Sequence, residues 1–367
     1  MQIIKASRDA ILKPLQTVAG IVEKRHTLPI LANVLIRKDG DMVSFTGTDM
    51  EMQVQTRAAI GSGGESAAVT VSARKLMDIL RALPESEVTV VLNGTKLSVS
   101  AGKSRFALQT LPAVDFPTLA VGTEVTSETT LPQKQLKHLL QMVHFAMAQQ
   151  DIRFYLNGLL LVMGPQGIRS VATDGHRLAF CAQPGETSSA AAEVIMPRKT
   201  VTELLRLLGD NDEPVQVQVI SHQIRVSFGE VEFVTKLVEG KFPDYQRVIP
   251  TGYSKAIAIN REQFAGALGR ASILTNEKFK GVRLTLEPSL LKIQSSNAEQ
   301  EEATEELDID YNDASLDIGF NVSYLLDVLA NLKVDVVKVE FGDSNSSALI
   351  SLPGDETFKY VIMPMRI

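Results

Sequence analysis

A single cysteine, Cys181, and no tryptophan occur in the 367 residues. One thiol cannot build a disulfide framework, and it suits a reducing, cytoplasmic compartment. Aromatic residues make up only 5% of the chain, which counts against a stacking platform for single-stranded nucleic acid. Long apolar runs are missing too, since stretches such as 159–163 fall far short of the roughly 18 residues of a membrane span. The opening MQIIKASRDAILK carries charges through any would-be signal core, so secretion is not expected. The five histidines, at 26, 138, 144, 176 and 222, show no metal-ligand spacing, and neither a metal nor a cofactor is expected. Basic charge is not in excess. With 37 Lys and Arg against 43 Asp and Glu, the net charge is −6, which argues against a protein that grips nucleic acid by bulk electrostatics. What the chain does have is 44% hydrophobic residues, enough to offset the conformational entropy of folding. At roughly 150 residues per domain its length suggests two or three domains.

The strongest positive signal is an internal repeat. The segment Asp78-Ile-Leu-Arg-Ala-Leu83 recurs as Glu203-Leu-Leu-Arg-Leu-Leu208 and Asp327-Val-Leu-Ala-Asn-Leu332, at intervals of 125 and 124 residues. Thr48-Asp49 recurs as Thr173-Asp174 and Ser296-Asn297, and Phe106-x-Leu108 as Phe233-x-Thr235 and Phe358-x-Tyr360, with nearly the same period. Each unit opens with a helical pattern, at 7–22, 132–148 and 261–274, where Pro14 is expected to kink the first. Hairpins follow, pairing 33–36 with 42–46, 158–162 with 168–172 and 281–286 with 290–294. The second helix of each unit carries the Asp/Glu-Leu marker, and alternating strands such as Val215-x-Val217-x-Val219 come after it. The expected fold is therefore α+β, with three tandem similar domains, each two helices on antiparallel sheets. Polar or turn-forming stretches place the domains at 1–126, 127–253 and 254–367.

Charge is segregated by element. On the second helix of the first unit, Leu76, Ile79, Leu80 and Leu83 share one face and Arg74 and Arg81 the opposite one; Lys199 and Arg206 occupy the same places one period later. Lys134, Lys137 and His138 likewise oppose Leu136, Leu139, Leu140 and Val143. The six helical segments (7–26, 72–83, 132–148, 197–208, 260–275 and 320–333) total +9, leaving −15 for the rest of the chain, notably 299–310. The same sign on the same face of several helices points to a shared anionic partner. Three sheet units also leave an open strand edge at each end, and head-to-tail contact would close the array into a ring. Phe106 and Leu108 are candidates for one side of that contact, Ile273 and Leu274 for the other.

Several motifs invite a chemical reading. Asp174 beside His176 has the ingredients of a base in a soluble hydrolase. However, no G-x-S-x-G occurs, and the matching Thr48-Asp49-Met50-Glu51 lacks the histidine, so a structural turn is favoured and no catalytic residue is assigned. Gly102-Lys103-Ser104 mimics the end of a phosphate loop, but Leu97 stands where its first glycine belongs. Asp308-x-Asp310-x-Asn312 begins like a calcium loop, yet position six is Asp313 and position twelve is Gly319.

The runs Thr27-Leu-Pro-Ile-Leu-Ala-Asn33, Leu156-Asn-Gly158, Val171-Ala-Thr-Asp-Gly-His-Arg-Leu178, Phe242-Pro-Asp-Tyr245 and Tyr360-Val-Ile-Met-Pro-Met-Arg-Ile367 closely resemble the bacterial DNA polymerase III beta sliding clamp family over the whole chain. The resemblance implies a non-enzymatic processivity factor, a homodimeric ring of six similar domains around duplex DNA, with helices lining the hole. It implies partners as well: the replicative polymerase catalytic subunit, an ATP-dependent clamp loader, and other polymerases and repair proteins carrying a clamp-binding linear motif. Their hydrophobic peptide is expected to dock between the second and third domains. The matching pocket residues are Leu156, Thr173, Gly175, His176, Arg177, Leu178, Pro243, Arg247, Val248, Ser347, Val361, Ile362, Met363, Pro364, Met365 and Arg366. Matching DNA contacts are Arg25, Arg74, Gln150, Arg153, Phe154 and Tyr155, to which the helix wheel adds Lys199 and Arg206. Phe154 and Gln149 stand where the best-known member has a tyrosine and a histidine.

Overall fold

A computed structural model describes residues 1–22, 28–84, 86–185 and 190–367. Six times a strand runs into a helix with no intervening residue: Gln2–Ser7 into Arg8–Ala19, Ala67–Ser72 into Ala73–Ala82, Ser127–Pro132 into Gln133–Gln141, Ala192–Pro197 into Arg198–Leu207, Lys255–Asn260 into Arg261–Ala271, and Leu316–Asn321 into Val322–Asn331. The residue at the junction makes the abrupt change workable. Side-chain oxygens of Ser7, Ser72, Asn260 and Asn321 accept from Ala10, Lys75, Gln263 and Ser323 backbone N–H groups, satisfying donors that a helix start leaves orphaned. The first helix residue of each repeat is also tied to a distant loop: Arg8 N to Ser86 O, Gln133 N to Glu213 O and Arg261 N to Asp335 O. Each helix buries a face at helical spacing, as with Ile11, Leu15 and Val18, or Phe264, Ala267, Leu268 and Ala271.

The chain forms two compact units, Met1–Leu136 with Glu203–Leu237, and Lys137–Thr202 with Val238–Ile367. All strand pairing among the described residues is antiparallel. The first unit holds a sheet of 12 strands, the second a sheet of 8 and a sheet of 4. Repeats and units do not coincide, because the last strand of one repeat pairs with a strand of the repeat before it. In the first unit Val231–Lys236 pairs with Met52–Ala58, Phe233 opposite Val54; in the second Asp355–Ile362 pairs with Arg177–Pro184, Phe358 opposite Cys181. Two strands of the same kind have no such partner among the described residues. Ser104–Leu111 is paired along one side by Lys96–Ala101 and on the other only at Thr110 and Leu111. Glu302–Asp308 ends the four-stranded sheet.

Three expectations need correction. The helix Arg8–Ala19 continues through Pro14. That residue removes one helical donor, but Ile11, Leu15 and Val18 are fully buried around it and packing holds the helix together. The pattern at 132–148 is not one helix: Gln133–Gln141 ends early and a short 3-10 turn, His144–Ala146, follows. Met142, Val143, Ala146, Met147 and Ala148 are all buried, and that apolar spacing imitates helical periodicity. The six helices that directly follow a strand carry +7 rather than +9. The other two charges come from Lys333, past a helix end, and from 23–26, which together with Arg25 lies outside the described residues.

Candidate functional site

The Thr-Asp marker is a turn, built identically twice. Thr173 Oγ1 donates to the Arg177 carbonyl at 2.6 Å and accepts from Gly175 N, while Asp174 Oδ1 accepts from the backbone N–H groups of His176 and Arg177. Thr48 and Asp49 make the same four bonds to Met50, Glu51 and Met52. The third position has positive φ in both turns, 74° at Met50 and 91° at Gly175. Asp174 thus serves backbone donors and the Arg177 guanidinium (Nε to Oδ2, 3.2 Å) rather than the exposed His176 ring. The hydrolase reading fails on that geometry.

Arg177 is the centre of the site's framework. It is only 9% exposed, and its fork reaches Asp174, Asp327 Oδ2 at 2.5 Å and the Phe145 carbonyl at 2.7 Å. Its guanidinium also stacks over the Tyr324 ring, 4.4 Å from the centroid. Tyr360 donates to the Tyr324 carbonyl, and burial pushes its phenol well above the ordinary tyrosine range. The neighbouring Cys181, on the seam strand, is buried, and its thiol is pushed up to about 12 by that burial, so it is a neutral packing group rather than a nucleophile.

Beside this framework the second unit opens a cavity of about 110 Å³, lined by Arg153, Tyr155, Leu156, Thr173, Gly175, Arg177, Leu178, Pro243, Val248, Val361 and Met363. Leu160, Val171, Ile195, Phe242, Tyr245 and Leu349 form the core beneath it. The volume suits one large apolar side chain of a ligand rather than a whole compact molecule. A larger concavity, about 750 Å³ in the first unit, mixes charged and polar residues such as Arg37, Asp39, Gln55 and Arg57 with Met42, Ala67 and Ala68.

The expected pocket residues divide accordingly. Leu156, Thr173, Gly175, Arg177, Leu178, Pro243, Val248, Val361 and Met363 come together at the cavity. Ile362 is fully buried in the seam, and the Ser347 carbonyl is taken by Tyr253 Oη. Arg247 is exposed and pairs with Asp244 at 2.9 Å. His176, Pro364, Met365 and Arg366 do not line the cavity. Arg153 and Tyr155, assigned from sequence to DNA, do line it. Asp151 holds Arg153 in place, and hydrogen bonds from Arg153 keep the Asp151 carboxyl down at about 2.

The remaining DNA candidates are mostly exposed. Arg74 is 3.7 Å from Asp78, too loose and solvated to count for much. Gln150, with φ of 57°, and Phe154, 74% exposed, lie on a surface loop, and Lys199 is exposed on its helix. Arg206 is committed: it pairs with Glu203 and donates to the Gln16 and Thr17 carbonyls near the end of the first helix, where a cation complements the helix dipole. Of the contact candidates, Phe106 and Ile273 are exposed (36% and 76%) and Leu108 and Leu274 partly so. Among the described residues no carboxylate, histidine or cysteine cluster is arranged to hold a metal, and no helix is long and apolar enough to cross a membrane.

Residues 1–120 match the family of DNA polymerase III beta subunit N-terminal domains, 130–244 the central domain and 246–366 the C-terminal domain. The beta sliding clamp of Pseudomonas aeruginosa is 48% identical over 362 residues, 98% of each chain. That of Escherichia coli K12 is 47% identical over 361 residues, again 98% of each. A solved Pseudomonas aeruginosa sliding clamp bound to griselimycin superposes with a TM-score of 0.96 at 47% identity, covering 100% of both chains. The Caulobacter crescentus structure gives 0.93 at 35%, with the same coverage. Repeat, seams and pocket converge with these likenesses: the chain belongs to the DNA polymerase III beta subunit family, the bacterial beta sliding clamps.

Proposed function

We propose that this chain is a DNA replication processivity factor, a sliding clamp that encircles duplex DNA and tethers the replicative polymerase and other DNA-processing proteins. It is not an enzyme; it works by topology, in the cytoplasm, and a separate ATP-dependent loader opens it. The observation that carries the ring is the pair of unmatched seam strands. Val231–Lys236 and Asp355–Ile362 each pair with the preceding repeat; among the described residues their counterpart Ser104–Leu111 has no cross-repeat partner, and neither has Glu302–Asp308, counterpart of Met52–Ala58 and Arg177–Pro184. A second copy supplies both, giving a head-to-tail homodimer of six domains, with boundaries at 126/127 and 253/254. Lys103 and Arg105 at one edge facing Glu302, Glu305 and Glu306 at the other favour that register of charge. Phe106, Leu108, Ile273 and Leu274 supply its apolar contact.

Tethering uses the cavity of the second unit, whose Leu, Val, Pro and Met walls suit a short hydrophobic peptide and whose Met363 adapts to different sequences. Holding a polymerase there makes its rebinding to DNA effectively intramolecular. Arg74, Gln150, Arg153, Phe154 and Lys199, with Arg25, give weak, sequence-blind contacts compatible with sliding. Because a related clamp binds griselimycin, we assign the same ligand to this pocket. Calorimetric titration of griselimycin should show saturable binding that Met363→Ala weakens about tenfold, and an affinity indifferent to that change would contradict the assignment.

A further inference from the structure

The segment 363–367 meets the pocket only through Met363; the rest of it is held elsewhere. Met363 N donates to the His176 carbonyl at 2.9 Å, and Met365 N to the Gly319 carbonyl at 2.8 Å. Between these bonds the chain passes from the pocket rim to the strand Leu316–Asn321 of the four-stranded sheet. There the side chain of Ile367 rests on two glycines of adjacent strands. A Cβ at Gly281 would meet Ile367 Cδ1 at 3.3 Å. One at Gly319 would meet the same carbon at 2.6 Å and the Met365 carbonyl oxygen at 2.5 Å. Neither glycine has a positive φ, so backbone conformation does not demand them; what they provide is room for a close approach. Arg283 Nη2 adds a hydrogen bond to the Ile367 main-chain oxygen at 3.3 Å.

We infer that Ile367, seated over Gly281 and Gly319, is a positioning residue for the peptide pocket: it fixes the segment 363–367 so that Met363 stands ready at the rim. The inference rests on the pocket reading above. Met363 is 43% exposed and has three rotatable side-chain bonds, so a segment anchored on both sides of the pocket wall lowers the ordering cost when ligand arrives. Ile367 itself is still 54% exposed; its loss removes an anchor on the surface and leaves the core intact.

The test uses the full chain, methyl-labelled at methionine, with griselimycin as probe. The Met363 methyl resonance is assigned by its disappearance in Met363→Ala. In Ile367→Ser and Gly319→Ala that resonance should shift or broaden before any ligand is added, and griselimycin affinity should fall about fivefold. Ile367→Val, which keeps most of the contact, should restore both, with an unchanged melting temperature in Ile367→Ser. An unmoved methyl resonance in Ile367→Ser overturns the inference whatever griselimycin does, and so does a moved resonance with unchanged affinity. If wild type fails to bind griselimycin, or Met363→Ala binds it equally well, the pocket reading falls instead.

Discussion

At the scale of single residues, the clearest division is between cations that are spoken for and cations that are displayed. Arg177 spends its fork on Asp174, Asp327 and the Phe145 carbonyl. Removing it takes the cation from the mostly buried Asp174 carboxylate and the donor from the Phe145 carbonyl, so Arg177→Ala should cost about 3 kcal/mol, and Arg177→Lys about 2 kcal/mol because an ammonium cannot reproduce the planar fork. Urea unfolding of the full chain would read both as lower midpoints. Arg74→Ala, by contrast, should stay within about 0.5 kcal/mol of wild type. Sequence alone does not separate Arg177 from Arg74; which of them is buried depends on pairing between residues 150 apart, as in Arg177 and Asp327. Arg153 and Tyr155, read from the sequence as DNA contacts, also line the cavity. They immediately precede the pocket residue Leu156, and the 3-10 turn Phe154–Leu156 turns the run so that Tyr155 and Leu156 reach the cavity while Phe154 points to solvent.

At the scale of elements, periodicity located the first helix of each repeat and overran its end, by the widest margin in the second repeat. In the last turn of the helix at 133–141 a carbonyl is satisfied by a side chain from a strand: Ser170 Oγ donates to the Leu139 carbonyl at 2.6 Å. Ser295, one period later, does the same for the Ala271 carbonyl at 2.6 Å. In the first repeat the equivalent position is Phe45, fully buried. No local pattern announces a cap delivered from 31 residues away. Both serines are buried and each satisfies a carbonyl at a helix end, so Ser170→Ala and Ser295→Ala should each destabilise by about 1–2 kcal/mol. Unequal effects, one near zero, would show that the two bonds are not equivalent.

At the scale of the whole molecule, the negative net charge counts against nucleic acid, yet the six helices that directly follow a strand carry +7 within a chain of −6. The repeat and the helix charge were legible from composition and spacing, whereas the exchange of strands between repeats was not, because register across a seam is set by tertiary pairing. That exchange leaves Ser104–Leu111 and Glu302–Asp308 as matching free edges, and it makes the dimer testable: replacing Ile273 and Leu274 by Ala should turn dimers into monomers in sedimentation, while an unchanged dimer would refute the contact. The central claim is topological. The measurement that tests it most directly loads the chain, with a clamp loader and ATP, onto closed circular DNA and onto the same DNA linearised, then follows what stays bound through a high-salt wash. A sliding ring stays on the circle and runs off the linear ends; equal loss from both would contradict the account.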